Sequence, residues 1–247
     1  MYMTNDLTAL AIIPGLVLIG YVYGKDKVEK EPIGLIIKII IFGIISCIAA
    51  GYLEAGAAHF LPKHPEGSLA YAVQTSFCLA AFFEEIVKFI AMRVGSWKHP
   101  SFNYRFDGIV YGVSAAVGFA IYENVMYVSM YGFSTAIVRA FTAVPLHAFC
   151  GVFMGIFYSY SKHMSILGKK ASSIKFTVLS LVVPMLIHGV YDTFAFLKTR
   201  EATMGLMTVV VVLYLMAIRT IKANAAADYR AGFYPAARNL EIDVDKY

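Results

Sequence analysis

Charge is what this chain has least of. Asp, Glu, Lys and Arg make up 15% of its 247 residues, against roughly 25% in an average soluble domain. Apolar residues make up 59%. That balance excludes an ordinary water-soluble globule and points to the bilayer as the solvent. Cysteine is scarce too. Cys47, Cys78 and Cys150 are odd in number and form no C-x-x-C, which excludes a disulfide framework and a thiolate metal site and leaves them as small core residues. The compact H-E-x-x-H of helical zinc peptidases is missing. No polar stretch between Tyr2 and Ile221 is long enough for a soluble domain, so any chemistry must come from the apolar body itself. The opening MYMTND carries no basic residue and no A-x-A follows the first apolar run, so that run is expected to stay as a helix and not be cleaved as a signal peptide.

Long apolar runs are present in quantity. A membrane-spanning helix needs roughly 20 apolar residues, and seven stretches meet or approach that length: Leu7–Gly24, Ile33–Phe60, Leu69–Met92, Gly108–Gly132, Phe133–Tyr160, Phe176–Leu197 and Ala202–Ile218. None shows the strict alternation of a barrel strand, so an all-α polytopic bundle of about seven transmembrane helices is predicted. Residues 1–221 form this single domain. Residues 222–247 mix both charge signs with alanine and aromatics and read as a C-terminal tail.

The net charge of +5 does not indicate nucleic acid, because its distribution follows the spans. Fifteen basic residues fall in alternate connections and the tail: Lys25, Lys27 and Lys30; Arg93, Lys98 and Arg105; Lys162, Lys169, Lys170 and Lys175; Arg219, Lys222, Arg230, Arg238 and Lys246. The opposite connections hold three: Lys63, Lys198 and Arg200. By the positive-inside rule the N-terminus lies outside and the tail in the cytosol.

Ionisable groups within the spans stand out against this background, since each costs roughly 2.5–3.5 kcal/mol at mid-bilayer and marks a functional position by default. Glu84, Glu85 and Lys88 lie in FFEEIVKFI, Glu123 in GFAIYENVMY, His147 in AVPLHAFCGV, and His188 with Asp192 in PMLIHGVYDT. Helical spacing puts Glu84 beside Lys88, Phe119 beside Glu123 and His188 beside Asp192. Each group also has a structural reading. Glu84 and Lys88 would serve as a buried ion pair, His147 as an interhelical hydrogen-bonder, and Arg139 as a snorkelling side chain or a counter-charge to the acids. Taken together they suit water activation by a carboxylate in a low-dielectric site. They also suit a catalytic zinc with an open position, Glu123, His147 and His188 being the candidate ligands. Small residues at Gly108, Gly112, Ala115, Ala116, Gly118, Gly151 and Gly155 would let the helices that carry these groups approach closely.

The motifs Glu84-Glu85-x-x-Lys88, Phe119-x-x-x-Glu123-Asn124, His147 and His188-x-x-x-Asp192, in that order on successive spans, resemble the PrsW intramembrane proteases. DKVEKEP, with Asp26, Glu31 and Pro32, and FDGIVYG, with Asp107, are similar to that family as well. The resemblance implies a place in the clan of the CAAX prenyl endopeptidases and the anterior-pharynx-defective subunit of gamma-secretase. Lys88 and Glu123 depart from the CAAX pattern, which disfavours prenyl-protein processing. It further implies that Glu84 and Glu85 activate water, that Lys88 holds a carboxylate, and that Glu123, His147, His188 and Asp192 complete a water or metal site. The substrate would be a single-pass membrane protein such as an anti-sigma factor, and the protein would sit in the cell membrane without a nucleic-acid partner. An ion or proton pathway and a non-catalytic scaffold are the alternatives from other functional classes.

Overall fold

The computed structural model describes residues 5–228. They form α1 (Asn5–Lys25), α2 (Ile33–Ala58), α3 (Leu69–Val73), a π-helical segment (Gln74–Ala81), α4 (Phe82–Ser96), α5 (Asp107–Tyr131), α6 (Phe133–Phe141), α7 (Ala143–Ile166), α8 (Lys170–Leu197) and α9 (Arg200–Asp228). Because α3, the π segment and α4 run on continuously, and α6 passes into α7 after one residue, the described residues make seven helical rods. Six of these are long and apolar enough to cross a membrane. The seventh, built from α3, the π segment and α4, is less apolar because it carries Glu84, Glu85 and Lys88.

The expected boundaries shift in two places. The stretch expected as one span from Phe133 breaks at Thr142 (φ −122°, ψ −73°). Pro145 falls in the first turn of α7, where a missing amide leaves no intrahelical bond unmade. The last rod reaches Asp228 instead of ending near Ile218, because Thr220 to Asp228 are mostly good helix formers that continue the turn. The remainder of the predicted tail lies outside the described residues. Cys47 and Cys150 are buried, whereas Cys78, on the π segment, is exposed and is not a core residue.

Polarity is arranged for lipid. On α2, Ile33, Ile37, Ile41, Ile45 and Ile48 form an exposed stripe at helical spacing, while the opposite face buries Leu35, Ile39, Gly43 and Ser46. Helix α5 is the hub, buried almost without interruption from Asp107 to Ala120. Its small-residue seam meets that of α7: a Cβ at Gly112 would lie 3.1 Å from the Gly155 amide nitrogen and closer still to the Gly151 carbonyl oxygen. Both atoms are rigid backbone, so Gly112→Leu is expected to cost at least about 2–3 kcal/mol. Loss of the monodisperse detergent-solubilised protein, or a lowered Tm, would show it.

One end of the bundle gathers the basic connections. Asn103 Nδ2 donates to Glu29 at 3.2 Å, Lys162 Nζ to the Trp97 carbonyl at 2.7 Å, and the Phe106 amide to Asp228 at 3.0 Å. These bonds tie the α1–α2 connection, the α4–α5 connection, the end of α7 and the end of α9 to one another.

Candidate active site

On α4, Glu85 and Lys88 have no solvent exposure and Glu84 very little. An ammonium sealed inside a protein needs compensating charge. Lys88 Nζ finds it 2.7 Å from Glu85 Oε1 and 3.3 Å from Glu84 Oε2, and the Phe119 ring of α5 faces it at 4.3 Å. Its third proton is donated to His147 Nδ1 of α7 at 3.1 Å. That bond sets the His147 tautomer: Nδ1 accepts, so Nε2 carries the proton and donates it to Glu123 Oε2 at 2.9 Å.

Glu123 is held from a second side. After α5 the chain reverses at Gly132, whose φ of 81° and ψ of −158° are readily reached only without a Cβ. The reversal lays α6 back along the bundle, where Arg139 donates to Glu123 at 2.6 Å and to the Asn124 amide oxygen at 2.9 Å and covers the Tyr127 ring at 4.1 Å. Arg139 is thus the counter-charge of an intramembrane acid and not a snorkelling side chain. Asn124 supports it, and its Nδ2 donates to the Ala11 carbonyl of α1 at 2.9 Å.

His188, on α8, closes the group. Its Nδ1 donates to Glu85 Oε1 at 2.8 Å, and its Nε2 faces Asp192 Oδ2 at 3.2 Å and Glu84 Oε2 at 3.9 Å. The two imidazoles meet edge to face with centroids 5.2 Å apart. All seven polar residues singled out in the sequence therefore belong to one bonded network drawn from α4, α5, α7 and α8.

A cavity of about 890 Å³ divides that network. Glu84, Glu123, His147, His188 and Asp192 line it, together with Arg139; Glu85 and Lys88 lie behind the wall. Glu66 and Gly67 of the α2–α3 connection and Lys198 of the α8–α9 connection also line it, so it reaches the end of the bundle opposite the basic connections. Glu54 of α2 is a cavity-lining acid that sequence reasoning missed. An acid near the end of a span reads as a boundary residue, and no spacing linked it to the other spans.

Residues 31–218 match the model of the PrsW family of intramembrane metalloproteases. Protease PrsW of Bacillus subtilis (strain 168) is 32% identical over 186 residues, covering 75% of this chain and 81% of the relative. The chain belongs to the PrsW family. Protease PrsW of Halalkalibacterium halodurans is 32% identical over 88% of this chain and 96% of its own length, and that of Geobacillus kaustophilus 31% over 88% and 91%. No solved structure matches the chain. As a PrsW-family member with six candidate spans, it is a multi-pass membrane peptidase.

The family's description as metalloproteases sets a test for these side chains. Glu84, His147 and His188 each bring a donor atom within 4.8 Å of the others, all three being buried. Two imidazoles and a carboxylate suit a catalytic zinc, so the donor set fits. His188 fits directly, because Glu85 takes Nδ1 and orients Nε2 toward two carboxylates, the outer-sphere pattern usual for a ligating histidine. His147 fits after an exchange, since Lys88 and Glu123 now engage its two nitrogens. Glu84 takes the place in this compact group that the sequence reading gave to Glu123, which stands beside it as the partner of His147 and Arg139.

Proposed function

We propose that this PrsW-family peptidase hydrolyses peptide bonds of membrane-anchored proteins with a glutamate-activated water inside the bundle. The supporting observation is that Glu84, Glu123, His147, His188 and Asp192 line one cavity. Glu84 acts as proton acceptor. As it takes a proton from water, the water oxygen attacks the scissile carbonyl carbon; the C–N bond then breaks while that proton passes to the leaving nitrogen. Arg139, His147 and His188 face the same space, and N–H donors there stabilise the oxyanion. Glu85 and Lys88 are positioning residues: Glu85 orients His188, and Lys88 bridges Glu84 and His147.

Glu84, His147 and His188 would hold a divalent metal, with zinc best suited to the donors. When bound, such an ion polarises the carbonyl and acidifies water. Were Glu84 engaged as a ligand, Glu123 or Asp192, both on the cavity wall, would serve as the proton acceptor.

The distribution of basic residues supports an external N-terminus and a cytosolic tail, with seven crossings. The cavity then opens on the outer side. The substrate class that fits is a single-pass membrane protein, such as an anti-sigma factor, cut near the outer face. Co-reconstitution of the purified chain with such a substrate, tagged at both ends, is expected to yield two fragments cut within or next to the span. An intact substrate together with an ion or proton flux across the same vesicles would instead establish the conducting alternative.

A further inference from the structure

The end of the bundle opposite the cavity holds a second group of buried acids that hydrolysis does not use. Asp26 and Glu31 stand in the α1–α2 connection, Asp107 opens α5, and Asp228 closes α9. Oxygens of Asp26, Glu31 and Asp107 lie within 4.8 Å of one another, and none of the four residues is more than 2% exposed. Asp107 and Glu123 share one helix and are about 24 Å apart at its rise of 1.5 Å per residue, so this group is separate from the hydrolytic network.

Acids crowd together harmlessly when solvent or donors satisfy them. Here they do not. Among the described residues, both oxygens of Asp26, Oδ1 of Asp107 and Oδ2 of Asp228 are sealed from solvent without a hydrogen-bond partner. The Glu31 amide faces Asp26 without completing a bond of normal geometry. Three of the other oxygens are pinned. Asp107 Oδ2 accepts from the Asn103 and Tyr104 amides at 2.9 and 2.6 Å, Asp228 Oδ1 from the Phe106 amide at 3.0 Å, and Glu31 Oε2 from the Tyr111 hydroxyl. Two of the acids thus have one oxygen fixed by the protein and the other left open, the form of an oriented ligand. Two nearby bases direct hydrogen bonds away from the acids: Lys30 donates to the Tyr23 carbonyl and Arg105 to the Tyr160 hydroxyl. Burial, with the neighbouring acids adding to it against the pull of Lys30, pushes Asp26 up to about 6. It pushes Glu31 up to about 7 despite the Tyr111 hydrogen bond. Among the described residues, no basic side chain forms an ion pair with this group.

We infer that Asp26, Glu31 and Asp107, with Asp228 beside them, bind a hard divalent cation of the Ca²⁺ or Mg²⁺ type that clamps the α1–α2 connection to the ends of α5 and α9. An all-oxygen donor set selects such ions over zinc. The clamp joins chain segments far apart in sequence at one end of the bundle.

The test titrates the full-length protein, purified in a nonionic detergent and freed of metal, with Tb³⁺. This ion enters Ca²⁺-type sites and emits when excited through a neighbouring tyrosine, here Tyr111. Saturable emission is expected, displaced by Ca²⁺ or Mg²⁺, and the better competitor identifies the ion. Asp26→Asn should weaken it about tenfold or more, while His188→Ala, at the other end, should leave it unchanged. The inference is overturned if the wild type shows no saturable emission, if Asp26→Asn titrates like wild type, or if His188→Ala abolishes the signal, which would assign the ion to the hydrolytic site. Should Asp26→Asn not give monodisperse protein, Tyr111→Phe replaces it. Loss of most of the emission at saturation supports the site, and unchanged emission rejects it.

Discussion

Glu84→Gln is expected to slow peptide-bond cleavage by about 10²–10⁴-fold, the usual contribution of a positioned general base, while leaving the protein folded. The amide has the shape of the carboxylate but no useful basicity. Folding should survive because Lys88 keeps Glu85 at 2.7 Å and His147 at 3.1 Å. Removing Lys88 itself would be a poor test. It would strand two buried carboxylates, and breaking one partner from a buried pair costs about 3–5 kcal/mol. Glu85→Gln offers the contrast: one Glu85 oxygen serves both Lys88 and His188, so stability should fall together with activity. Single-turnover cleavage of a co-reconstituted substrate, read beside the Tm of each variant, checks both. Near-wild-type cleavage by a fully folded Glu84→Gln protein would remove Glu84 from the chemistry.

Chelation is expected to have a comparable effect. If Glu84, His147 and His188 hold a metal, its removal should abolish cleavage, and zinc should restore it. The Tm should fall as well, because an ion present at about a thousand times its Kd contributes about 4 kcal/mol to the folded state. His188→Ala should lose metal and activity together. Glu85→Gln should weaken metal affinity by about 10–100-fold through the misoriented imidazole. Elemental analysis of each protein, paired with its rate, decides the matter. Full activity in a protein shown to be metal-free would leave water activation to Glu84 alone.

Much of the site was legible because lipid makes polar residues conspicuous. Glu84 with Lys88, and His188 with Asp192, sit one helical turn apart, and local geometry brings each pair within 3.3 Å. Distances between rods were not legible. Neither the Lys88 to His147 bond nor the His188 to Glu85 bond can be read from spacing, because 59 and 103 residues separate the partners. The role of Arg139 was likewise open, and the reversal at Gly132 decides it. Glu54, Asp26 and Asp228 drew no notice as site residues, since acids at or near helix ends look like ordinary boundary groups until packing buries them, as it does Asp26 and Asp228, or turns them to a cavity, as it does Glu54.

The sequence by itself determined the solvent, the helical rods and the chemical types available to the site, because hydrophobic length and the cost of charge in hydrocarbon act locally along the chain. Only the tertiary structure decided which acid meets which imidazole, which groups face the cavity and which stand behind it. Those outcomes depend on how the rods rotate and how closely they pack. That is set by contacts such as the α5–α7 glycine seam, where the backbones of residues far apart in the chain touch directly.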